Sequence, residues 1–251
     1  MNSYVTERER EILELLQGDS AISVAEIGRQ LGVSAVTARA GLNSLAQKGL
    51  VVRTWGGAAA AFHPEMLEHQ RTCVAEKNRI ARAAAALIND GDTIMIEAGT
   101  TTALIARYLA GKRDISIVTN NLLVVPYARS NPALRLTLVG GDFRPNTESL
   151  VGPVALQELE RFHVSRAFVG TDGFTPEKGL TTHLVEGAEI VKKMAAQARE
   201  TVLVADSSKY GKTGFVLVLP LAAIGRIIVD SGIAPGAAAR LREQNLTVEI
   251  V

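Results

Sequence analysis

Five short segments of this 251-residue sequence place small hydroxylated, amide or charged residues directly after an apolar run. They are Glu97-Ala98-Gly99-Thr100-Thr101-Thr102, Thr119-Asn120, Gly140-Gly141, Gly170-Thr171-Asp172-Gly173 and Asp206-Ser207-Ser208-Lys209. The first reads as a strand-to-helix turn, where free backbone N–H groups and threonine hydroxyls suit a phosphate. Lys209 offers a countercharge, and Asn120, Asp172 and Glu97 offer donors and acceptors for ligand hydroxyls. Gly140, Gly141, Gly170 and Gly173 complete the set. A plainer reading stays open: Gly99 and the threonines make a turn and a cap, Asp206-Ser207-Ser208 makes another, and Lys209 is solvated. Arg144 is either a second phosphate partner or an exposed side chain. No G-x-G-x-x-G or G-x-x-x-x-G-K-[ST] occurs, which argues against dinucleotides and ATP. His63, His69, His163 and His183 are scattered and Cys73 stands alone, so no metal and no cofactor is expected.

A second cluster is basic. From Ile27 to Ala58 the chain holds Arg29, Arg39, Lys48 and Arg53 and no acid, while Glu7, Glu9, Glu11, Glu14, Asp19 and Glu26 all precede it. Two short helical patterns separated by Gly32-Val33 have the form of a helix-turn-helix. Its second helix, started by Ser34, puts Ser34, Ala35, Thr37, Ala38 and Arg39 where base edges are read. Arginine can grip guanine, threonine a phosphate or thymine methyl, and alanine allows close approach. Lys48 and Arg53 suit flanking phosphates. Residues 1–57 balance six bases against six acids, so a neutral helical unit for protein contacts is the alternative.

The elements that position these residues differ in period. "TERE" at 6–9 and "SVAE" at 23–26 have the capping-box form or its near equivalent, each ahead of an apolar stripe. Val36, Leu42, Leu45 and Ala46 are read as inward-facing on the third helix. "LVVRTW" and Gly56-Gly57 make a strand and turn for a wing. Residues 58–78 read as an alanine-rich linker. Thereafter "TIMIEAG", "ISIVTNN", "LRLTLVGGD", "RAFVGTDG", "TVLVADSSK", "IGRIIVDSG" and "LTVEIV" alternate with helical segments, which predicts a mainly parallel sheet with right-handed crossovers. Hydrophobic content of 47% with only 4% aromatics fits such an aliphatic core. The net charge of +1 localises any attraction to nucleic acid to the basic segment. The single cysteine, the charged start "MNSYVTERERE" and the absence of a long apolar run predict a cytoplasmic protein away from membranes.

The stretch "RERE…ILELL…SVAEIGRQLGVSAVTARAGLNSLAQKGLVVRTWGGA" resembles the amino-terminal domain of the DeoR/GlpR family of bacterial transcriptional repressors. "GDTIMIEAGTTTALIARYL", "VTNN", "VGGDFR", "VGTDGF…GLTTH" and "ADSSK" match that family's effector domain in order and spacing, so the resemblance covers nearly the whole chain. It implies an α/β protein with a small winged helix-turn-helix domain (1–57), a linker (58–78) and a larger sugar-phosphate-sensing α/β domain (79–251) related in fold to phosphosugar isomerases. Its implied partners are operator DNA and a phosphorylated sugar, and pairing on DNA calls for a homodimer or homotetramer. An isomerase-like enzyme using Asp172 or Glu97 as base and Lys209 as electrostatic stabiliser is the rival, and a protein-binding adaptor is a third possibility. Two departures stand out: Ala40 and Gly41 replace the family's usual Arg and Asp in the recognition helix, and Glu97 replaces its usual Asp.

Overall fold

Thr6 opens the first helix. Its hydroxyl accepts the Glu9 N–H at 3.2 Å while the Glu9 carboxylate accepts the Thr6 N–H at 2.7 Å, a reciprocal capping box. Helix α1 then runs Glu7–Gly18. Ser23 caps α2 (Val24–Gln30) and Ser34 caps α3 (Ala35–Gln47), each hydroxyl accepting a backbone N–H three residues on. The turn between them is tight: a Cβ on Gly28 would come 2.9 Å from the Val33 carbonyl oxygen, and Gly32 has φ +64°. Strand β1 (Val51–Thr54) pairs antiparallel with β2 (Gly57–Ala60), Arg53 facing Ala58, to form the two strands of the expected wing. Helix α4 (Pro64–Arg71) follows.

The computed structural model describes residues 5–19, 22–54, 57–244 and 246–251, so Trp55 and Gly56, expected from the sequence as part of the wing, lie outside them. Two units separate at Thr72/Cys73. The stretch 58–78, expected as a linker, is largely regular structure: β2 continues to Ala60, α4 occupies 64–71 and the next helix starts at Val74. The reason is apolar burial. Met66 and Leu67 on α4 are both buried, and Leu67 joins a core of Ile12, Leu13, Leu16, Ile27, Leu42 and Leu45; each such side chain contributes roughly 1.5–3 kcal/mol.

The second unit starts with α5 (Val74–Ala86), β3 (Thr93–Ile96), α6 (Thr100–Arg107), β4 (Ile115–Thr119), α7 (Val125–Arg129) and β5 (Leu134–Leu138). A hairpin of β6 (Asp142–Arg144) and β7 (Ser149–Val151) leads to α8 (Pro153–Leu159) and β8 (Val164–Val169). Next come β9 (Gly173–Thr175), β10 (Gly179–Thr182), α9 (Val185–Gln197), β11 (Ala198–Val204) and β12 (Val216–Leu219). The chain closes with β13 (Arg226–Val229), α10 (Pro235–Arg242) and β14 (Thr247–Ile250).

Seven strands form one parallel sheet in the order β14-β13-β11-β8-β3-β4-β5, one from each of the seven apolar runs. Alternating side chains feed two cores: Ile94, Ile96 and Phe168 on one face, Met95, Ala167 and Val169 on the other. Strands β9, β10 and β12 add a small antiparallel sheet. Toward the amino ends of the large sheet an ion-pair ladder crosses four strands. Arg166 meets Glu200 at 2.8 Å and Asp92 at 3.5 Å, while Arg226 meets Glu200 at 3.6 Å and Glu249 at 3.4 Å. The order of strands reverses between β3 and β8: the chain proceeds from β3 toward β5 on one side and from β8 toward β14 on the other. Ligands of open parallel sheets bind beyond the strands' carboxyl ends at such a switch.

Candidate functional site

The recognition helix shows which of its residues are free to meet DNA. Ser34, Ala35 and Arg39 are exposed, as is Arg53 on β1. Thr37 is half-buried, its hydroxyl 2.9 Å from that of Ser34. Ala38 does not belong with them. It is 0% exposed and lies in the helical core, because it stands four residues before Leu42 and seven before Leu45 on one helical stripe. Val36, expected inside, is 74% exposed in the first turn of α3, next in sequence to exposed Ser34 and Ala35. Gly41 leaves room for α1: a Cβ there would meet the Ile12 δ-methyl at 2.6 Å.

Lys48 is also placed differently from its expected phosphate role. Its ammonium bonds both oxygens of Glu9 at 2.7 Å, and Ser44 Oγ donates to the same carboxylate at 2.6 Å. Burial opposes ionisation of Glu9, but the bonds from Lys48, Ser44 and Thr6 outweigh it and bring its pKa down to about 2. The exposed charges left for a phosphate backbone on the described part of α3 and the wing are therefore Arg39 and Arg53.

At the switch point the expected ligand residues divide into two classes. Some lace the strand ends together. Asn120 is buried, accepting the Ala98 N–H at 3.0 Å and donating to the Leu150 carbonyl at 3.1 Å. Thr102, also buried, donates to the carbonyls of Glu97 and Gly99. Asn121, which sequence reasoning passed over, donates to those same two carbonyls at 3.1 and 3.0 Å and accepts the Leu123 N–H. Gly140 gives its N–H to Glu158, and Gly141 takes φ +135° beside the β6–β7 hairpin, so both serve the turn. Gly173 packs its backbone against Lys212. Arg144 is ion-paired with Glu186 at 2.8 Å.

The others keep bonding capacity in hand. Gly99 precedes α6 without a side-chain cap, and among the described residues the N–H groups of residues 99–102 have no acceptor. The hydroxyls of half-buried Thr100 and Thr101 are equally uncommitted. Asp206 caps the short 3₁₀ turn Ser207–Lys209, accepting from Ser208, and Asp230 holds Ser207. That turn presents Lys209, whose ammonium has no hydrogen bond or ion pair among the described residues. Asp172 Oδ2 accepts the Thr182 hydroxyl at 2.7 Å and the His183 N–H at 2.9 Å. Glu97 Oε2 accepts the Gly170 N–H at 3.0 Å. Burial drives the Glu97 pKa up to about 8 against the opposing Gly170 bond, and the charge of Asp172 adds to the rise. No grouping of His, Cys, Asp and Glu suited to a metal occurs among the described residues, and none of their helices is long and apolar enough to cross a membrane.

Comparison with known proteins bears on both units. The DeoR-like helix-turn-helix domain matches residues 8–62 and the DeoR C terminal sensor domain matches residues 72–231. An HTH-type transcriptional regulator from Haemophilus influenzae is 32% identical over 98% of this chain and 97% of its own. A putative aga operon transcriptional repressor from Escherichia coli O157:H7 is 30% identical over 98% of this chain and 94% of its own. Among solved structures, ribose 5-phosphate isomerase A from Methanocaldococcus jannaschii superposes with a TM-score of 0.39 at 20% identity, covering 53% of each chain. The chain belongs to the DeoR family of helix-turn-helix proteins, and it is a DNA-binding transcriptional regulator rather than an enzyme.

Proposed function

We propose that the protein represses a carbohydrate-use operon and that a phosphorylated sugar controls its affinity for the operator. One observation carries this reading. Four consecutive N–H groups, residues 99–102, end uncapped at the carboxyl edge of the sheet, whose β11 end also bears an unpaired lysine, Lys209. Uncapped N–H groups at a helix start, with a cation at the end of a strand in the same sheet, are the chemistry of a phosphate seat. Gly99, Thr100, Thr101 and Lys209 hold the phosphate; Asp172 and Glu97 meet the sugar; Thr102 and Asn120 hold the loops that do so. On the other unit, Arg39 and Val36 read bases, with Ser34, Ala35, Thr37 and Arg53 on the backbone. A single winged helix offers few contacts, so two-fold pairing in a dimer or tetramer completes the operator grip.

The test is fluorescence anisotropy on an operator fragment titrated with a panel of sugar phosphates and the matching unphosphorylated sugars. Release by one phosphorylated member and by none of the free sugars is the expected result. Release by a free sugar at the same concentration would overturn the phosphate seat. Sedimentation of a monomer both on and off DNA would overturn the pairing.

A further inference from the structure

Two carboxyl groups stand beyond the ends of β3 and β8 at the switch point, and their surroundings are unequal. Asp172 has two donors on one oxygen, the Thr182 hydroxyl and the His183 N–H. Glu97 is 9% exposed and has one donor, the Gly170 N–H on Oε2. Its Oε1 has no hydrogen-bond partner among the described residues and is not sealed from solvent. No lysine or arginine pairs with Glu97 among the described residues; the charged group whose field reaches it is Asp172, of the same sign. The neighbouring strand end contributes the neutral amides Asn120 and Asn121. A carboxyl with one donor, little water and a like charge within reach of its field holds its proton more tightly.

We propose that Glu97 is a specificity-determining residue that serves as a hydrogen-bond donor. Oε2 accepts from Gly170, Oε1 carries a proton, and that proton is donated to an acceptor oxygen of the ligand while Asp172 accepts from a ligand hydroxyl. The crevice then has one fixed donor beside one fixed acceptor. It favours a neutral sugar phosphate with a carbonyl, ring or hydroxyl oxygen at that point and disfavours an amino sugar phosphate, whose ammonium cannot accept. The proposal rests on the effector reading above, so its experiment has one arm that needs no ligand.

In that arm, the infrared difference spectrum between the full-length wild type and Glu97→Gln is followed across pH. A protonated carboxyl band assigned to residue 97 persisting at neutral pH is expected, and a carboxylate band there overturns the proposal. The folded group binds its proton more tightly than the unfolded chain, so thermal stability of the sensor unit falls as pH rises from 4.5 to about 8. Glu97→Gln, which keeps one donor and one acceptor, abolishes that fall. In the second arm, operator release is measured with glucose, fructose, ribose and glucosamine phosphates. Wild type should lose ligand affinity about tenfold per pH unit above the carboxyl's pKa while Glu97→Gln does not. Loss of release in Glu97→Gln, or preference for glucosamine phosphate, overturns the donor role. Failure of every sugar phosphate on wild type counts against the effector reading, and the infrared arm still decides the state of Glu97.

Discussion

The Lys48 ammonium lies 2.7 Å from each oxygen of Glu9, tying the end of the recognition helix α3 to the first turn of α1. Glu9 already closes the capping box with Thr6, so one buried carboxylate caps the start of α1 and ties down the end of α3. Lys48→Ala therefore strikes stability before DNA binding. Removing the partly exposed Lys48 leaves the buried Glu9 carboxylate without its cation, at a cost of about 1–3 kcal/mol. The expected result is a lower denaturation midpoint with an unchanged salt slope of operator affinity. Arg53→Ala should do the reverse, reducing the slope by roughly 1 for each Arg53 on the DNA with little loss of stability.

Acid should open the first unit through the same group. The Glu9 pKa is depressed to about 2 in the folded chain against an ordinary 4.5. Its contribution is complete above the ordinary value and is lost as pH falls from 4.5 toward 2, a change of about 3 kcal/mol. Hydrogen exchange at the backbone amides of α1 should report the transition. In Glu9→Gln the unit should start less stable and show a flatter dependence over that window. An identical pH profile in the two proteins would refute the assignment.

Base reading is predicted to rest on Arg39 and Val36. Arg39→Ala should cost about 1–3 kcal/mol of operator affinity and relax preference at one position. Val36→Ala removes an exposed apolar contact of the kind that meets a thymine methyl, and roughly 1 kcal/mol should go with it on an operator carrying that base. Ala38→Ser is the control. It introduces a hydroxyl into the core, so its effect should appear in the melting curve. Binding measured against single-base operator variants separates the three.

Lys209→Ala deletes the proposed countercharge without touching the DNA-binding unit. Operator affinity should stay, and release by the sugar phosphate should fail. A hundredfold ligand-driven change in operator affinity needs about 2.7 kcal/mol of differential binding, and a hydrogen bond to a charged group is worth about 1.5–3 kcal/mol. Thr100→Val removes one neutral bond and should weaken release by roughly 1 kcal/mol. Asn121→Ala, in contrast, opens the lattice of buried bonds behind the site and should lower the melting temperature. Wild-type release by Lys209→Ala would move the phosphate elsewhere.

Much of this architecture is legible in the chain. Each of the seven apolar runs became one strand of the large sheet, because a sheet covered on both faces demands continuous aliphatic segments of strand length. The caps at Thr6, Ser23 and Ser34 are local chemistry and sit where their residue types put them. Ala38 and Val36 differ from expectation because spacing outranks apolarity: the stripe Ala38–Leu42–Leu45 spells the buried face and leaves Val36 outside it. The pairing of Lys48 is illegible for a different reason: its partner lies thirty-nine residues away, and no local pattern records a tertiary pairing. The strands β9, β10 and β12 are three or four residues long and pair across the chain, too short for a period to show. At the site, residue type alone could not separate Thr100 from Thr102 or Asn120 from a ligand donor, since the distinction is whether each side chain's bonds are already used.

The ladder from Arg166 through Glu200 and Arg226 to Glu249 lies toward the opposite end of the strands from Glu97 and Lys209. Mutations in the two places should therefore sort by dominance in a genetic screen. Breaking the ladder loosens the sensor unit and depletes the regulator, so the controlled genes are expressed constitutively and a second intact copy restores control. If the strand ends near Lys209 hold the proposed effector, altering them should leave a folded regulator that binds its operator and ignores its signal. That allele should silence the genes even beside an intact copy. One sheet would then carry recessive lesions at one edge and dominant lesions at the other, a map that could be drawn from phenotypes alone.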